Sequence, residues 1–324
     1  MLLTSEAQTG IKIPPGQISG GAISVQANQA VDLSIDFNAC ASILQEGNGG
    51  YRLKPTLRAG VVSVNNNAIS GTVVAQGTTT GINGAIVLLE QPDTSVTPNI
   101  DRVQAAAVAD SSGNFIFCPL PGPGPYDVVV AATTGTLALQ VTYNPTIAFS
   151  VPMGTNLGNT PLAPEGLPPS APATITGQVT TAMDSSTATT GAVTISPLQD
   201  AAPQGGTLLH VTIPVFSATS QPPVVMTTAT PSPSTPACPA NTDCFNFSLL
   251  IPGSNALVAT YDSTAKSITF PTLPPLGATN YNVNTWDADC STANDTTGSP
   301  IAVTSGGTTN LPTTLGLSGC PASM

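Results

Sequence analysis

Only 7% of the 324 residues are Asp, Glu, Lys or Arg, against about 25% in ordinary globular domains, which excludes a charge-rich disordered tail, a coiled coil and a solvating acidic domain. Six Lys and Arg against seventeen Asp and Glu leave a net charge of −11, so the chain offers no basic footprint for nucleic acid. Apolar residues make up 40% with only one Trp, five Tyr and eight Phe, so the expected core is built from Val, Ile, Leu and Ala. The apolar runs, such as Val128 to Ala132, fall far short of the roughly 18 residues needed to cross a bilayer.

The first ten residues, MLLTSEAQTG, carry neither a positive n-region nor a cleavage site, and the expectation is a chain whose natural start lies further upstream. Val31, Leu33, Ile35 and Phe37 alternate with two Asp and a Ser, the pattern of a half-buried strand. ACASILQ over 39–45 suggests a short helical turn. A turn at Gly47-Asn48-Gly49-Gly50 then leads into the alternating Tyr51–Leu57, where Pro55 marks an edge or an end. IKIPPGQISGG, LSIDFNACASIL and GYRLKPTLR, spread over about 9–64, resemble the closing portion of an uncharacterised domain of bacterial exported lipoproteins and surface proteins. That resemblance implies a truncated N-terminal β segment over 1–66 and carries no function with it.

From Ala68 an internal repeat appears. Ile69-Ser70-Gly71-Thr72-Val73 is echoed by Ile175-Thr176-Gly177-Gln178-Val179, and Gly84–Leu88 by Gly191–Ile195. Phe117, Leu120 and Tyr126 find counterparts in Phe270, Leu273 and Tyr281. The offset grows from 106 to 155 residues, which places an insertion of about 48 residues in the second copy, centred on the Pro/Thr/Ser tract from Thr219 to Asp243. Alternating strands with turn signals every 8–12 residues point to a sandwich. ISGTVV, GAIVLL, ADSSGNFIF and LPGPGPYDVVVAA resemble the carboxypeptidase regulatory-like domain, a transthyretin-like β-sandwich. The resemblance implies an all-β chain of antiparallel β-sandwiches in tandem: one over 67–151, a stiff Pro-rich linker over 152–172, and an insertion-bearing second sandwich over 173–324.

Site candidates are sparse. Asp110-Ser111-Ser112-Gly113-Asn114 reads as a calcium loop or as a hairpin turn. One carboxylate where a tight calcium loop uses several favours the turn. Asp287, Asp289 and Asp295 form the densest acidic cluster, a weak metal candidate that would need oxygens from elsewhere. The single histidine, His210, reads as structural: one His cannot build a multi-His zinc site, and no G-x-S-x-G elbow accompanies it. No phosphate-cradling or dinucleotide motif occurs, and no cofactor is expected. The transthyretin-related hydrolase relies on His and Arg residues and a C-terminal Tyr-Arg-Gly-Ser. This chain has no Arg after Arg102 and ends CPASM, so that enzyme reading fails. Trp286 beside Tyr281 invites a sugar platform, because Trp286 alternates with Tyr281, Val283 and Thr285 and so falls on the polar face. Asn246-Phe247-Ser248 and Asn294-Asp295-Thr296 match the glycosylation sequon.

Six cysteines, at 40, 118, 238, 244, 290 and 320, on a Ser/Thr-rich, Lys-poor chain favour disulfides and an oxidising compartment. Fifteen pairings exist for six cysteines. The expected set is Cys238 with Cys244 and Cys290 with Cys320, which leaves Cys40 with Cys118. These readings converge on a non-catalytic structural or adhesion module, exported to the periplasm, the cell surface or beyond. Its expected partners are envelope or extracellular polysaccharide or protein, and the alternative is a carbohydrate-binding module centred on Trp286.

Overall fold

The computed structural model describes residues 67–118, 120–183, 192–226, 242–273, 277–287, 290 and 294–320, together with the strand backbone at 33–37, 43–45, 51–53 and 57–61. In the N-terminal stretch β1 (Leu33–Phe37), β2 (Ile43–Gln45), β3 (Tyr51–Leu53) and β4 (Leu57–Val61) form two antiparallel pairs, β1 with β4 and β2 with β3. Ile43–Gln45 is therefore a strand, not the end of a helical turn. Its ladder to Tyr51–Leu53 outweighs the weak helical preference of so short a stretch.

The first repeat supplies β5 (Ile69–Ala75), β6 (Ile86–Asp93), β7 (Ile100–Val108), β8 (Asn114–Phe117), β9 (Tyr126–Ala131), β10 (Thr133–Thr134), β11 (Val141–Thr142), β12 (Thr146–Val151) and β13 (Asn156–Leu162). The second supplies β14 (Ala173–Met183), β15 (Ala192–Ala201), β16 (Leu209–Thr212), β17 (Val224–Met226), β18 (Thr242–Ile251), β19 (Leu257–Thr260), β20 (Thr279–Trp286), β21 (Asn294–Thr296), β22 (Ile301–Val303), β23 (Thr308–Asn310) and β24 (Leu315–Cys320). A single 3-10 turn at Leu137–Leu139 is the only helical element among the described residues. The protein is all-β.

Two layers make each half. A small sheet ordered β13-β5-β8 packs over the first, and one built from β18, β14, β23 and β24 packs over the second. The opposing layer is common to both halves, a single sheet ordered β19-β12-β9-β6-β7-β16-β15-β20-β21. The halves meet where β16 pairs parallel with β7, His210 opposite Ile100 and Val211 opposite Asp101. They meet again at the far edge, where β19 of the second half pairs parallel with β12 of the first, Leu257 opposite Thr146.

This sharing explains the burial pattern of β9, where all six residues are buried. Val128 and Val130 face the first-half core with Val87, Leu89 and Phe115. Val129 on the opposite face joins Leu88, Ile147 and Phe149 in a second core with Val211, Ile213 and Val215. A strand covered on both faces reads as a continuous apolar run, as Val128 to Ala132 does.

Two boundaries read from the sequence change. The 152–172 stretch is not a free linker, because Asn156–Leu162 pairs parallel with β5 and buries Leu157 and Leu162 in the first core. Pro161 fits there because β13 is an edge strand whose outer side needs no donor. In the second half, β18 pairs antiparallel with β14 as β8 does with β5, so β18, and not the segment around Phe270, is the counterpart of β8. Ile268 and Phe270 instead pack against the first-half core, and the Gln76 side-chain amide donates to the Thr272 carbonyl at 2.8 Å.

Cys290 and Cys320 are joined by a disulfide that links the segment after β20 to the end of β24. Cys244 is also disulfide-bonded. Cys118 is buried. Cys40 and Cys238 lie outside the described residues, and the pairings expected for them fall there too.

Candidate functional site

β20 sorts its side chains by the two-residue period of a strand. Tyr281 and Val283 enter the second core, while Asn282, Asn284 and Trp286 take the opposite face. Tyr281 is fully buried, its hydroxyl donating to the Pro252 carbonyl at 2.8 Å. Burial pushes its phenol well above the ordinary range. It is a core residue with a satisfied polar tip and forms no platform with Trp286, which corrects the paired-aromatic reading.

Trp286 is 38% exposed. The guanidinium of Arg102, from β7 in the other half, lies 5.6 Å from the centre of its ring, a cation–π distance. Arg102 Nη1 donates to Asn284 Oδ1 at 3.0 Å and Nε lies 3.2 Å from Asp93 Oδ2. The Ser95 hydroxyl first, and Arg102 further, hold the Asp93 carboxyl below the usual range. Asn284 is fully buried, and its amide nitrogen donates to the Asp295 carbonyl and the Thr296 hydroxyl. One more step along the strand, Asn282 Nδ2 donates to Asp200 Oδ1 at 3.1 Å, and the same oxygen sits 2.6 Å from His210 Nδ1. His210, Asp200 and Asn282 border an open cavity of about 370 Å³ lined also by Thr97, Pro98 and Pro300. The outer face thus carries a polar strip from His210 to Trp286, built by both halves. Arg102 is the member the sequence did not flag, since nothing local ties residue 102 to residue 286.

The metal candidates separate. Asp295 Oδ2 accepts the Gly316 N–H at 2.7 Å and so anchors β24. Asp287 is half-buried, and Asp289 lies outside the described residues. Asp110 Oδ1 accepts the N–H groups of Ser112 and Asn114, both at 2.8 Å, while Gly113 takes a φ of 82°. Those hydrogen bonds, the Asn114 N–H foremost, lower the Asp110 carboxyl. This is the geometry of an Asx turn. Among the described residues no group of three or more His, Cys, Asp or Glu is arranged to hold a metal ion, and no helix is long and apolar enough to cross a membrane.

The strand pairings define an all-β layered protein, and of the polar strip only its Trp286 end is exposed, His210, Asn282 and Asn284 being buried. Residues 1–55 match the family described as "Domain of unknown function (DUF4382)", in line with the uncharacterised domain that the N-terminal stretch resembles. No curated protein matches the chain. Among solved structures, the chain is similar to GBS52, the minor pilin of Streptococcus agalactiae, at 11% identity, covering 80% of this chain and 98% of that one with a TM-score of 0.19. The shaft pilin SpaA of Lactobacillus rhamnosus GG gives 11%, 79%, 97% and 0.19. A putative adhesin from Bacteroides ovatus gives 11%, 77%, 92% and 0.17. With TM-scores this low, the fold rests on the strand pairings of this chain itself.

Proposed function

We propose that the chain is a non-catalytic structural or adhesion module of an exported bacterial surface protein, and that 67–151 is of carboxypeptidase regulatory-like type. The observation that carries this reading is the shared sheet. β16 is laid against β7 and β19 against β12, so each half completes the other and the chain presents surface held by interlocked strands. The buried disulfide between Cys290 and Cys320 suits an oxidising compartment, and the low-charge Ser/Thr surface suits a spacer that resists nonspecific contact. The test is protease shaving and antibody labelling of intact producing cells. Labelling of unbroken cells and release of fragments are expected. A chain protected until lysis and found in the cytoplasm overturns the reading.

A second reading, carbohydrate recognition by the strip ending at Trp286, is favoured by one observation. The ring is exposed and its orientation is fixed by the Arg102 guanidinium, itself held by buried Asn284, and aromatic faces stack on sugars. Affinity electrophoresis in gels containing envelope polysaccharides tests it. The native protein should be retarded and Trp286→Ala should not. Equal mobility of the two across the panel removes the reading.

A further inference from the structure

On the inner face of the shared sheet, beneath the seam, three carboxyl groups sit on neighbouring strands. Glu90 on β6 pairs directly with Asp127 on β9, and Asp101 on β7 lies diagonally across β6, opposite Pro92. Glu90 and Asp101 are fully buried and Asp127 is 5% exposed. The second half closes over them: the Thr212 N–H donates to Glu90 Oε2 at 3.2 Å, and the Thr212 hydroxyl to the Asp101 carbonyl at 2.6 Å. From β12 the Ser150 N–H donates to Asp127 Oδ1 at 2.7 Å.

The surrounding elements send their charges elsewhere. Arg102 of β7 bonds Asp93 and Asn284 on the outer face, and His210 of β16 bonds Asp200 there. β12 and β19 carry no ionisable side chain. Taken as carboxylates, Glu90 Oε1 and both Asp101 oxygens lack a donor. Buried anions without a cation or donor are too costly to persist, and neutralisation by a proton is the ordinary remedy.

We propose that Glu90, Asp101 and Asp127 form a proton-held clasp under the seam between the halves, which makes the fold strongest in mild acid and loosens the β7–β16 junction as pH rises. The titration follows the geometry. Burial first, and the Asp127 charge second, push Asp101 up to about 9. Burial likewise raises Glu90 well above its ordinary value and raises Asp127, against the lowering hydrogen bond from Ser150. Asp101 and Asp127 interact strongly enough to titrate as a pair. In the unfolded chain these groups lose their protons near pH ~4. Between there and the folded values the native state holds more protons than the unfolded one. Stability is therefore greatest at low pH and falls as pH rises, by up to about tenfold in the folding equilibrium per pH unit per proton held. Buried Glu165, also raised by burial, acts in the same direction. Asp93, Asp110 and Asp262, held low by hydrogen bonds, act with the opposite sign only below about pH 4.

The experiment follows urea midpoints of the whole chain and amide exchange at Val211 and Thr212 from about pH 5 to 9, for the native protein and for Asp101→Asn. The native midpoint should fall across that range, with exchange at the seam speeding before that of the β6–β9 ladder, and Asp101→Asn should flatten the slope. A native midpoint that is flat or rises with pH, or a variant slope equal to the native one, overturns the proposal. So does a midpoint at alkaline pH that millimolar calcium raises, since a cation would then be the natural neutraliser. If Asp101→Asn does not fold, carbon NMR titration of the native carboxyls decides. A buried carboxyl still protonated at about pH 7 supports the clasp, and three that all ionise below about pH 5 refute it.

Discussion

Replacing Phe149 by Ala tests whether the halves are one cooperative unit. Phe149 belongs by sequence to the first repeat, on β12, yet it is fully buried in the core that holds Val211, Ile213, Val215 and Tyr281 of the second. Truncation of a buried Phe costs about 3–5 kcal/mol, transfer and cavity together. The protein has one tryptophan, Trp286, which reports on the second half, while far-UV circular dichroism reports all strands. In urea the two signals should share one midpoint in the native protein and move together in Phe149→Ala. Phe115→Ala, a cut in the first-half core where Phe115 meets Phe117 edge-on, should also move both. Domains strung as independent beads would behave otherwise: the Trp286 midpoint would stay put in Phe115→Ala while dichroism shifted. That split would refute the shared-core account, because coincident transitions are the mark of a single cooperative step.

Removing both Cys290 and Cys320 by Ala frees a loop with a sequence separation of 30, and chain-entropy arithmetic gives a loss of about 3–4 kcal/mol. An unchanged urea midpoint would show that β24 is held by its pairing with β14 and the Asp295 contact without the disulfide. Gly113→Ala forces a side chain onto a φ of 82° and puts its Cβ 2.3 Å from the Val73 carbonyl oxygen, so a loss of more than about 1 kcal/mol is expected by thermal melting. A neutral result would mean that the Asp110 turn has an alternative conformation of equal free energy.

What the sequence revealed is whatever a strand's period or a turn's chemistry encodes locally. The alternation of Asn282, Asn284 and Trp286 with Tyr281, Val283 and Thr285 places the tryptophan on the outer face, and Gly113 after Asp110 announces the turn. Alternation assigns a face but does not say what covers it, so Tyr281 read as platform when it is core. Pro-rich composition points to a linker at 152–172, and Pro161 is acceptable in a strand there only because β13 lies at the edge of its sheet. The seam was illegible. Parallel pairing of residues near 100 with residues near 211 leaves no turn between them to read, and Asp101 and Asp127, each second in its strand, look like ordinary solvent-facing flanks, while Glu90, inside β6, looks like the polar member of a half-buried strand.

The seam and the acids belong to one structural problem. A first half cut from its partner would expose Leu88, Val129, Ile147 and Phe149 as a contiguous apolar face, and an apolar face of that kind demands a cover. The cover comes from the second half, and the end of β16 meets Glu90 and Asp101 through Thr212 as it supplies it. The same contact that removes the four apolar side chains from water also removes the carboxyls, which then need protons. Docking of the halves and protonation of the clasp are thus linked by necessity: each favours the other. This linkage sets direction as well as strength. Acidification tightens the junction without adding a contact, and alkalinity loosens it at β7–β16 while the disulfide between Cys290 and Cys320 and the β5–β13 ladder remain in place.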